Sequence, residues 1–288
     1  MNKEIVIINK KVNGADNDIE FFSNKKGILF TDENDDLSKK LKEKISKGFD
    51  SFIISGGDGT VNHFINSYMK LTKNLRKNLK IGIIPCGRAN DLARKLKIPF
   101  NMNQAYDITK KDKPKKIDLI QVNEKFFITG GGFGLPAEVI KDVNKHSKKT
   151  SNKLLRDLIY YISVLKKVFI NYSGAKIKDI NQKLMFFAVC NQNFIGKRFF
   201  LSPDSINDDG FFEICHIPKP KNPISGLSVV QKVIKGKHIR LRECVTKKIK
   251  SLEIKLDQKE WFMADGELLD FNDEFKFRII PKSISIFH

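Results

Sequence analysis

Short apolar runs that end in glycine, proline or asparagine recur through the first third of the chain. Residues 4–8 form a β-branched run closed by the polar loop Asn9-Lys10-Lys11-Val12-Asn13-Gly14, which predicts a first strand and a turn. Residues 27–31 predict a second strand, and Leu37, Leu41 and Ile45 share one helical face within residues 37–47. Phe52-Ile53-Ile54 leads into a glycine turn and then a helix, and residues 80–85 repeat the strand pattern ahead of a second glycine turn. Strands alternating with helices predict a doubly wound parallel sheet. The turns after Ile8, Phe30, Ile54 and Ile84 would open on its carboxyl edge, where such sheets bind ligands.

The pattern changes after the lysine-rich stretch 110–116. Short strands follow at 125–129, 185–191, 210–217, 251–256, 260–264 and 274–280, and strands in succession predict an antiparallel sandwich. One segment breaks this rhythm: residues 152–169 place Leu155, Leu158, Ile159, Ile162, Leu165 and Phe169 on one helical face, with Lys153, Arg156, Lys166 and Lys167 off it. The expected fold class is α/β plus β, with a first domain over residues 1–116, to which a terminal strand 281–288 is a candidate addition, and a second over 117–280.

Composition narrows the class. A chain of 288 residues, 41% apolar and 30% charged, is long enough for two soluble domains with real cores. No apolar run approaches the ~20 residues of a spanning helix, and residues 1–9 read as a strand instead of a signal peptide. Lys and Arg outnumber Asp and Glu by 53 to 33, and the excess of +20 calls for an anionic partner: nucleic acid, nucleotide phosphates or an acidic membrane surface. Cys86, Cys190, Cys215 and Cys244 stand far apart with no CxxC pair, so reduced thiols and no zinc site are expected. The histidines show no metal spacing, and no GxSxG hydrolase signal is present.

The candidate chemistry centres on Ser55-Gly56-Gly57-Asp58-Gly59-Thr60. Its three glycines predict positive φ and a backbone open to a ligand, while the helix that follows presents free N–H groups and roughly half a positive charge. This is a phosphate cradle, in which Asp58 is expected to hold a magnesium ion that accompanies the phosphates. On that basis Asp58→Ala is expected to remove activity with the fold intact. The hexapeptide resembles the nucleotide-binding signature of lipid kinases of the diacylglycerol and sphingosine kinase type, of NAD kinases and of phosphofructokinases. One βα unit later, Ile84-Pro85-Cys86-Gly87-Arg88-Ala89-Asn90-Asp91-Leu92-Ala93 resembles the PxGTxNDxA stretch of diacylglycerol kinases and bacterial lipid kinases, with Arg88 in place of the family Thr. A guanidinium there is suited to pairing with a phosphate. Near the end, Asp265-Gly266-Glu267 resembles the family's DGE motif.

With three motifs in family order, the resemblance spans nearly the whole chain. It implies an ATP-dependent lipid kinase that phosphorylates a lipid hydroxyl of a diacylglycerol-like, ceramide or sphingoid-base acceptor. The implied architecture is an N-terminal doubly wound α/β nucleotide-binding domain and a C-terminal antiparallel β-sandwich that takes the lipid, with the active site in the cleft between them. Glu267 is the implied general base and Asp265 shares the catalytic work. Asn9, Thr31, Gly56, Gly57, Asp58, Gly59, Thr60, Asn62, Gly87, Arg88 and Asn90 are the implied nucleotide contacts, and Asp58, Asp91 and Asp118 would organise Mg2+ through water. A structural Mg or Ca is implied at the turn of Asp209, with the backbone carbonyls of Ile206 and Phe211 as further ligands. The family's Asn-Pro-x-Ser-Gly loop is matched only at Asn9 and Gly14, and Pro136 stands where the family has Asp. The expected partners are ATP and a lipid presented at an anionic membrane surface, with a homodimer left open and no nucleic acid. The expected location is cytoplasmic and peripherally membrane-associated; the basic segment 145–153 reads first as a solvated loop, and its cations would suffice for reversible docking if it faced a bilayer. The rival readings are an NAD kinase and a noncatalytic lipid- or nucleic-acid-binding protein on the same scaffold.

Overall fold

The computed structural model describes residues 3–9, 15–23, 27–32, 35–111, 114–147, 153–169, 174–178, 180 and 182–288. Residues 10–14 of the first loop and 148–152 of the basic segment lie outside the described residues. The chain forms two compact units, Met1–Leu119 with Lys282–His288, and Ile120–Pro281.

In the first unit β1 (Glu4–Asn9), β2 (Gly27–Thr31), β3 (Ser51–Gly56) and β4 (Lys80–Pro85) pair in parallel in the order β2-β1-β3-β4. Every residue of β3 is buried, and Ile5 to Ile8 of β1 are at most 2% exposed. Strands covered on both faces read as uninterrupted apolar runs, which is why these segments show no alternation. The helices are α1 (Ala15–Ser23), α2 (Leu37–Ser46), α3 (Asp58–Met69), α4 (Lys73–Arg76), α5 (Asp91–Lys95) and α6 (Met102–Thr109). The Asp36 side chain accepts the Lys39 N–H and so caps α2. Phe64 of α3 lies against Phe52 of β3 and Tyr68, with ring centroids 6.3 and 5.9 Å away. Burying rings of this size contributes on the order of 2–3 kcal/mol each, enough to fix the helix on its strand.

β5 (Lys115–Val122) carries the fully buried Asp118, whose Oδ1 accepts the Lys282 N–H at 2.7 Å. Lys282 stands at φ 48°, so this carboxylate pins the left-handed step at which the chain returns to the first unit. After that step Ile286 pairs with Ile81 of β4.

The second unit contains β6 (Lys125–Phe127), β7 (Gly130–Gly134), α7 (Leu135–Ser147), α8 (Lys153–Phe169), β8 (Leu184–Cys190), β9 (Phe212–Pro218), α9 (Pro223–Ile234), β10 (Val245–Ile249), β11 (Ser251–Ala264) and β12 (Glu267–Ile286). Six of its strands form an antiparallel run in the order β10-β9-β8-β7-β11-β12. Alternate residues of β8 divide between two cores, as the period of two requires. Phe186, Ala188 and Cys190 join Val139, Val164 and Val230 of the helices, whereas Phe187 and Val189 join the sandwich core. In the latter, Phe133 has Phe262 and Phe275 at 5.0 and 4.6 Å between centroids. Among the described residues no helix is long and apolar enough to cross a membrane.

Three local expectations change. The strands expected at 251–256 and 260–264 are one strand, β11, with a register shift between Lys255 and Glu260. The single helix expected in this half is accompanied by α7 and α9. The apolar face of α8 is partly turned outward: Ile162, Leu165 and Phe169 are 52%, 43% and 53% exposed, and Val164 is buried in their stead. α8 and α7 share a core through Val164, Val139 and Val143, and polar contacts also join them, Ser163 donating to Asp142 at 2.8 Å and Lys167 to Glu138 at 2.7 Å.

Candidate active site

The SGGDGT stretch and the turn after β4 interlock. Gly57 and Gly87 approach so closely that a Cβ on Gly57 would lie 2.8 Å from the Gly87 Cα, and one on Gly87 would lie 2.3 Å from the Gly57 Cα. Space, and not positive φ, is what requires these glycines: Gly57 stands at φ −96°. The left-handed residue is Asn90, at φ 49° and ψ 48°. Its side chain closes on Gly87, Oδ1 accepting the Gly87 N–H at 2.9 Å and Nδ2 donating to the Gly87 carbonyl at 2.8 Å.

Asp58 opens α3 and reaches across to the start of α5. Its Oδ2 accepts the Asn90 N–H and its Oδ1 the Asp91 N–H, both at 2.7 Å. These are two of the free N–H groups that a helix start always presents, and a carboxylate there is favoured by the helix dipole. Both oxygens being engaged, Asp58 acts first as a clasp between the two turns. The trio expected to organise magnesium through water is not gathered into one direct ligand set. Among the described residues Asp58, Asp91 and Asp118 form no group with oxygens within 4.8 Å of one another, and Asp118 is spent on Lys282.

Beneath both turns lies Asp18 of α1, a buried residue that sequence reasoning missed. Its Oδ2 accepts from the Ser55 hydroxyl at 2.8 Å and its Oδ1 lies 3.5 Å from the Cys86 Sγ. Burial raises the Asp18 pKa and pushes the Cys86 thiol up to about 11, so the Asp18 carboxyl and a neutral thiol brace the turn pair from below. The only sequence signal was an acidic residue at the start of a short apolar helix.

The remaining expected nucleotide contacts lie along the same carboxyl edge. Asn9 and Thr31 are partners across β1 and β2, and the Thr31 hydroxyl lies 3.5 Å from the His63 Nε2. Thr60 is buried with its side chain over Gly56, Gly59 lies in the first turn of α3, and Arg88 is half-buried. Asn62 is buried and its Oδ1 accepts from the Asn66 Nδ2 at 3.1 Å.

In the second unit Asp265 and Gly266 form the two-residue loop between β11 and β12, with Ala264 opposite Glu267. Their φ values of 50° and 81° are those of the tight hairpin turn that an Asp-Gly pair favours. Asp265 is 3% exposed, and its Oδ1 accepts the Thr129 N–H at 2.8 Å and the Thr129 hydroxyl at 2.6 Å, while Oδ2 accepts the Ile128 N–H at 3.1 Å. Its backbone N–H donates to the Gly130 carbonyl at 3.1 Å. Asp265 is therefore a positioning residue that fastens the hairpin, whereas Glu267 is exposed at the head of β12.

The turn of Asp209, where a structural metal was implied, is held by side-chain contacts. Asp209 Oδ1 accepts the Phe211 N–H at 3.0 Å, and Oδ2 meets the Lys248 Nζ at 2.5 Å. Lys248 also lies 3.7 Å from Glu213. The Lys248 ammonium thus supplies the counter-charge to Asp209 in this structure.

A cavity of about 440 Å3 in the second unit is lined by Glu138, Lys141, Lys167, Glu260, Trp261 and Phe271, among others. Burial, and then the neighbouring Glu138 carboxylate, push the Glu260 pKa up from 4.5 to about 7. The folded protein holds this proton more tightly than the unfolded chain, so stability present at low pH is lost as pH rises from 4.5 through 7. Glu260→Gln is expected to raise stability by about 1–3 kcal/mol at about pH 8. Melting curves across pH check this, since the gain must shrink as pH falls through 7 towards 4.5; a gain independent of pH would assign the effect to packing.

Glycine turns at the carboxyl edge of a parallel sheet, followed in the chain by an antiparallel unit with an acidic hairpin, define a nucleotide-using phosphotransferase. Residues 6–122 match the diacylglycerol kinase catalytic domain, and residues 134–288 match the YegS C-terminal NAD kinase beta sandwich-like domain. The chain belongs to this family of lipid kinases, phosphotransferases that use ATP and an alcohol acceptor. It is 30% identical over 241 residues to the diacylglycerol kinase of Bacillus subtilis (strain 168), covering 81% of this chain and 76% of that one. It is 26% identical over 257 residues to a probable lipid kinase YegS-like of Shewanella frigidimarina (strain NCIMB 400), covering 88% and 81%. In fold it is similar to the crystal structure of a diacylglycerol kinase from Bacillus anthracis str. Sterne, with TM-score 0.75 and 21% identity over 100% of this chain and 97% of that one.

Proposed function

We propose that this chain transfers the γ-phosphoryl group of ATP to the hydroxyl of a diacylglycerol-like lipid. The observation that carries the reading is the β11–β12 hairpin, where Asp265 is bound down, Glu267 is exposed, and Met263, just before the turn, lines an apolar pocket. That pocket is otherwise walled by residues such as Leu135, Val139, Val164, Phe186 and Val230, a surface suited to an acyl chain. Glu267 takes the hydroxyl proton, the freed oxygen attacks the γ-phosphorus, and the bond to ADP breaks. The turn of Gly57 and the first turn of α3 bind the phosphates through backbone N–H groups, with Asn9, Thr31, Thr60 and Arg88 beside them. Magnesium enters as the counter-ion that ATP brings.

The exposed stripe of Ile162, Leu165 and Phe169 on α8, beside the exposed Lys166, supports docking on an anionic bilayer. The sandwich description is shared with NAD kinases and does not by itself choose the acceptor.

Labelled ATP offered to vesicles of phosphatidylglycerol carrying diacylglycerol, ceramide or a sphingoid base, with soluble NAD in parallel, tests both parts. Label is expected in diacylglycerol, and label in NAD alone would overturn the acceptor. Glu at Ile162 and Phe169 is expected to lower vesicle binding at least ~10-fold, two desolvated apolar side chains being worth about 1.5–3 kcal/mol each. Wild-type binding should weaken as salt shortens the Debye length below ~8 Å. Equal binding by wild type and the double variant would remove α8 from the membrane surface.

A further inference from the structure

Cys215 and Cys244, 29 residues apart in sequence, bring their sulfurs to 3.7 Å, and a ring nitrogen of His238 lies within 4.8 Å of both. We propose that these three side chains form a zinc site in the second unit. Cys215 sits in β9 opposite Thr246 of β10, Cys244 immediately precedes β10, and His238 opens the short 3-10 turn His238–Arg240 after α9. Two tight turns hold the approach, the Leu241 N–H donating to the His238 carbonyl at 2.9 Å and the Cys244 N–H to the Leu241 carbonyl at 3.0 Å.

The geometry suits the ion. Zinc binds thiolate at about 2.3 Å, and two such bonds at the tetrahedral angle place the sulfurs about 3.8 Å apart. His238 is fully buried, with its Nε2 3.1 Å from the Leu201 carbonyl. A proton on Nε2 donates to that carbonyl and leaves the Nδ1 lone pair free. Nδ1 is buried and makes no hydrogen bond of normal geometry, the Lys232 backbone being the other polar group near the ring. Metal-binding histidines show this arrangement, one nitrogen ligating while the other donates to a backbone carbonyl. Two sulfurs and an imidazole select zinc over magnesium or calcium, which require oxygen.

Three protein ligands leave a fourth position for water, and the partial exposure of Cys244 gives an entry path. Binding releases the two thiol protons to solvent. The ion would tie the segment between α9 and β10 to β9. His238 also holds Leu201, which lines the apolar pocket together with Val233 of α9, so zinc would brace one wall of that pocket.

The test is metal uptake by the full chain, independent of kinase activity. Reduced, metal-free protein titrated with zinc against a chromophoric chelator is expected to bind one equivalent and release about two protons per ion near neutral pH. Cobalt in place of zinc should give a sulfur-to-cobalt charge-transfer band in the wild-type protein. Cys215→Ser, Cys244→Ser and His238→Gln should lose the tight site, while Cys86→Ser keeps it. Zinc should also protect two wild-type thiols from alkylation, a readout that needs no variant to fold. Absence of stoichiometric uptake, a cobalt spectrum without the thiolate band, or wild-type uptake by Cys215→Ser and Cys244→Ser would overturn the proposal and leave a thiol pair joined by a hydrogen bond.

Discussion

Glu267→Gln turns over about 100- to 10,000-fold more slowly than the wild-type enzyme while its ATP affinity stays nearly unchanged. Gln keeps the size and the backbone of the first residue of β12, and the hairpin is held by Asp265, so the change removes a proton acceptor and leaves the anchor of the hairpin in place. Single-turnover rates with labelled ATP, compared with nucleotide binding in the same preparation, separate the two effects. The contrasting change is Asp265→Asn. It replaces one acceptor oxygen by an NH2 that must face the Ile128 or Thr129 N–H, at a cost of about 2–3 kcal/mol. That variant loses activity together with melting temperature. Full turnover in Glu267→Gln would reduce the motif to a hairpin turn.

Asp58→Ala is expected to lose both activity and stability. The sequence alone suggested a metal-holding charge whose removal spares the fold, but the carboxylate is the partner of two backbone N–H groups at the start of α5. Hydrogen bonds to a charged group are worth about 1.5–3 kcal/mol each, and partial exposure lowers the sum to about 2–4 kcal/mol for the pair. The loosened turns should then weaken ATP binding at least tenfold, since the glycine contact beneath the phosphates is no longer fixed. Asp58→Asn retains one acceptor and should fall between the two. Denaturant unfolding and nucleotide titration on the three proteins check the order. An Asp58→Ala protein of wild-type stability that fails only at catalysis would restore the metal role.

The parallel unit was legible because its strands are continuous apolar runs and its glycine turns follow them directly. What the pattern could not convey was why the glycines are there. Contact between Gly57 and Gly87, and the clasp of Asp58 on residues more than thirty positions away, are long-range facts with no local signature. The strands of the second unit were readable, but α9 was passed over although Asn222 and Pro223 carry a cap and a first-turn proline. α7 was hidden by its place directly after the glycine-rich strand. Periodicity located the apolar face of α8 and could not say that part of that face would be left uncovered. The sulfur pair was invisible for the same reason as the clasp: Cys215 and Cys244 meet only because β9 and β10 do.

The last strand imposes a schedule on synthesis. β12 starts in the antiparallel unit, yet Ile284, Ile286 and Phe287, all at most 2% exposed, belong to the parallel one. A nascent chain appears N-terminus first at about 5–20 residues per second, so β1 to β4 emerge well before the segment that borders β4. Until residues 282–288 have left the ribosome, the β4 side of that sheet is an open edge of the kind that invites pairing with other chains. The unit translated first is completed last, and its maturation waits on translation of the other.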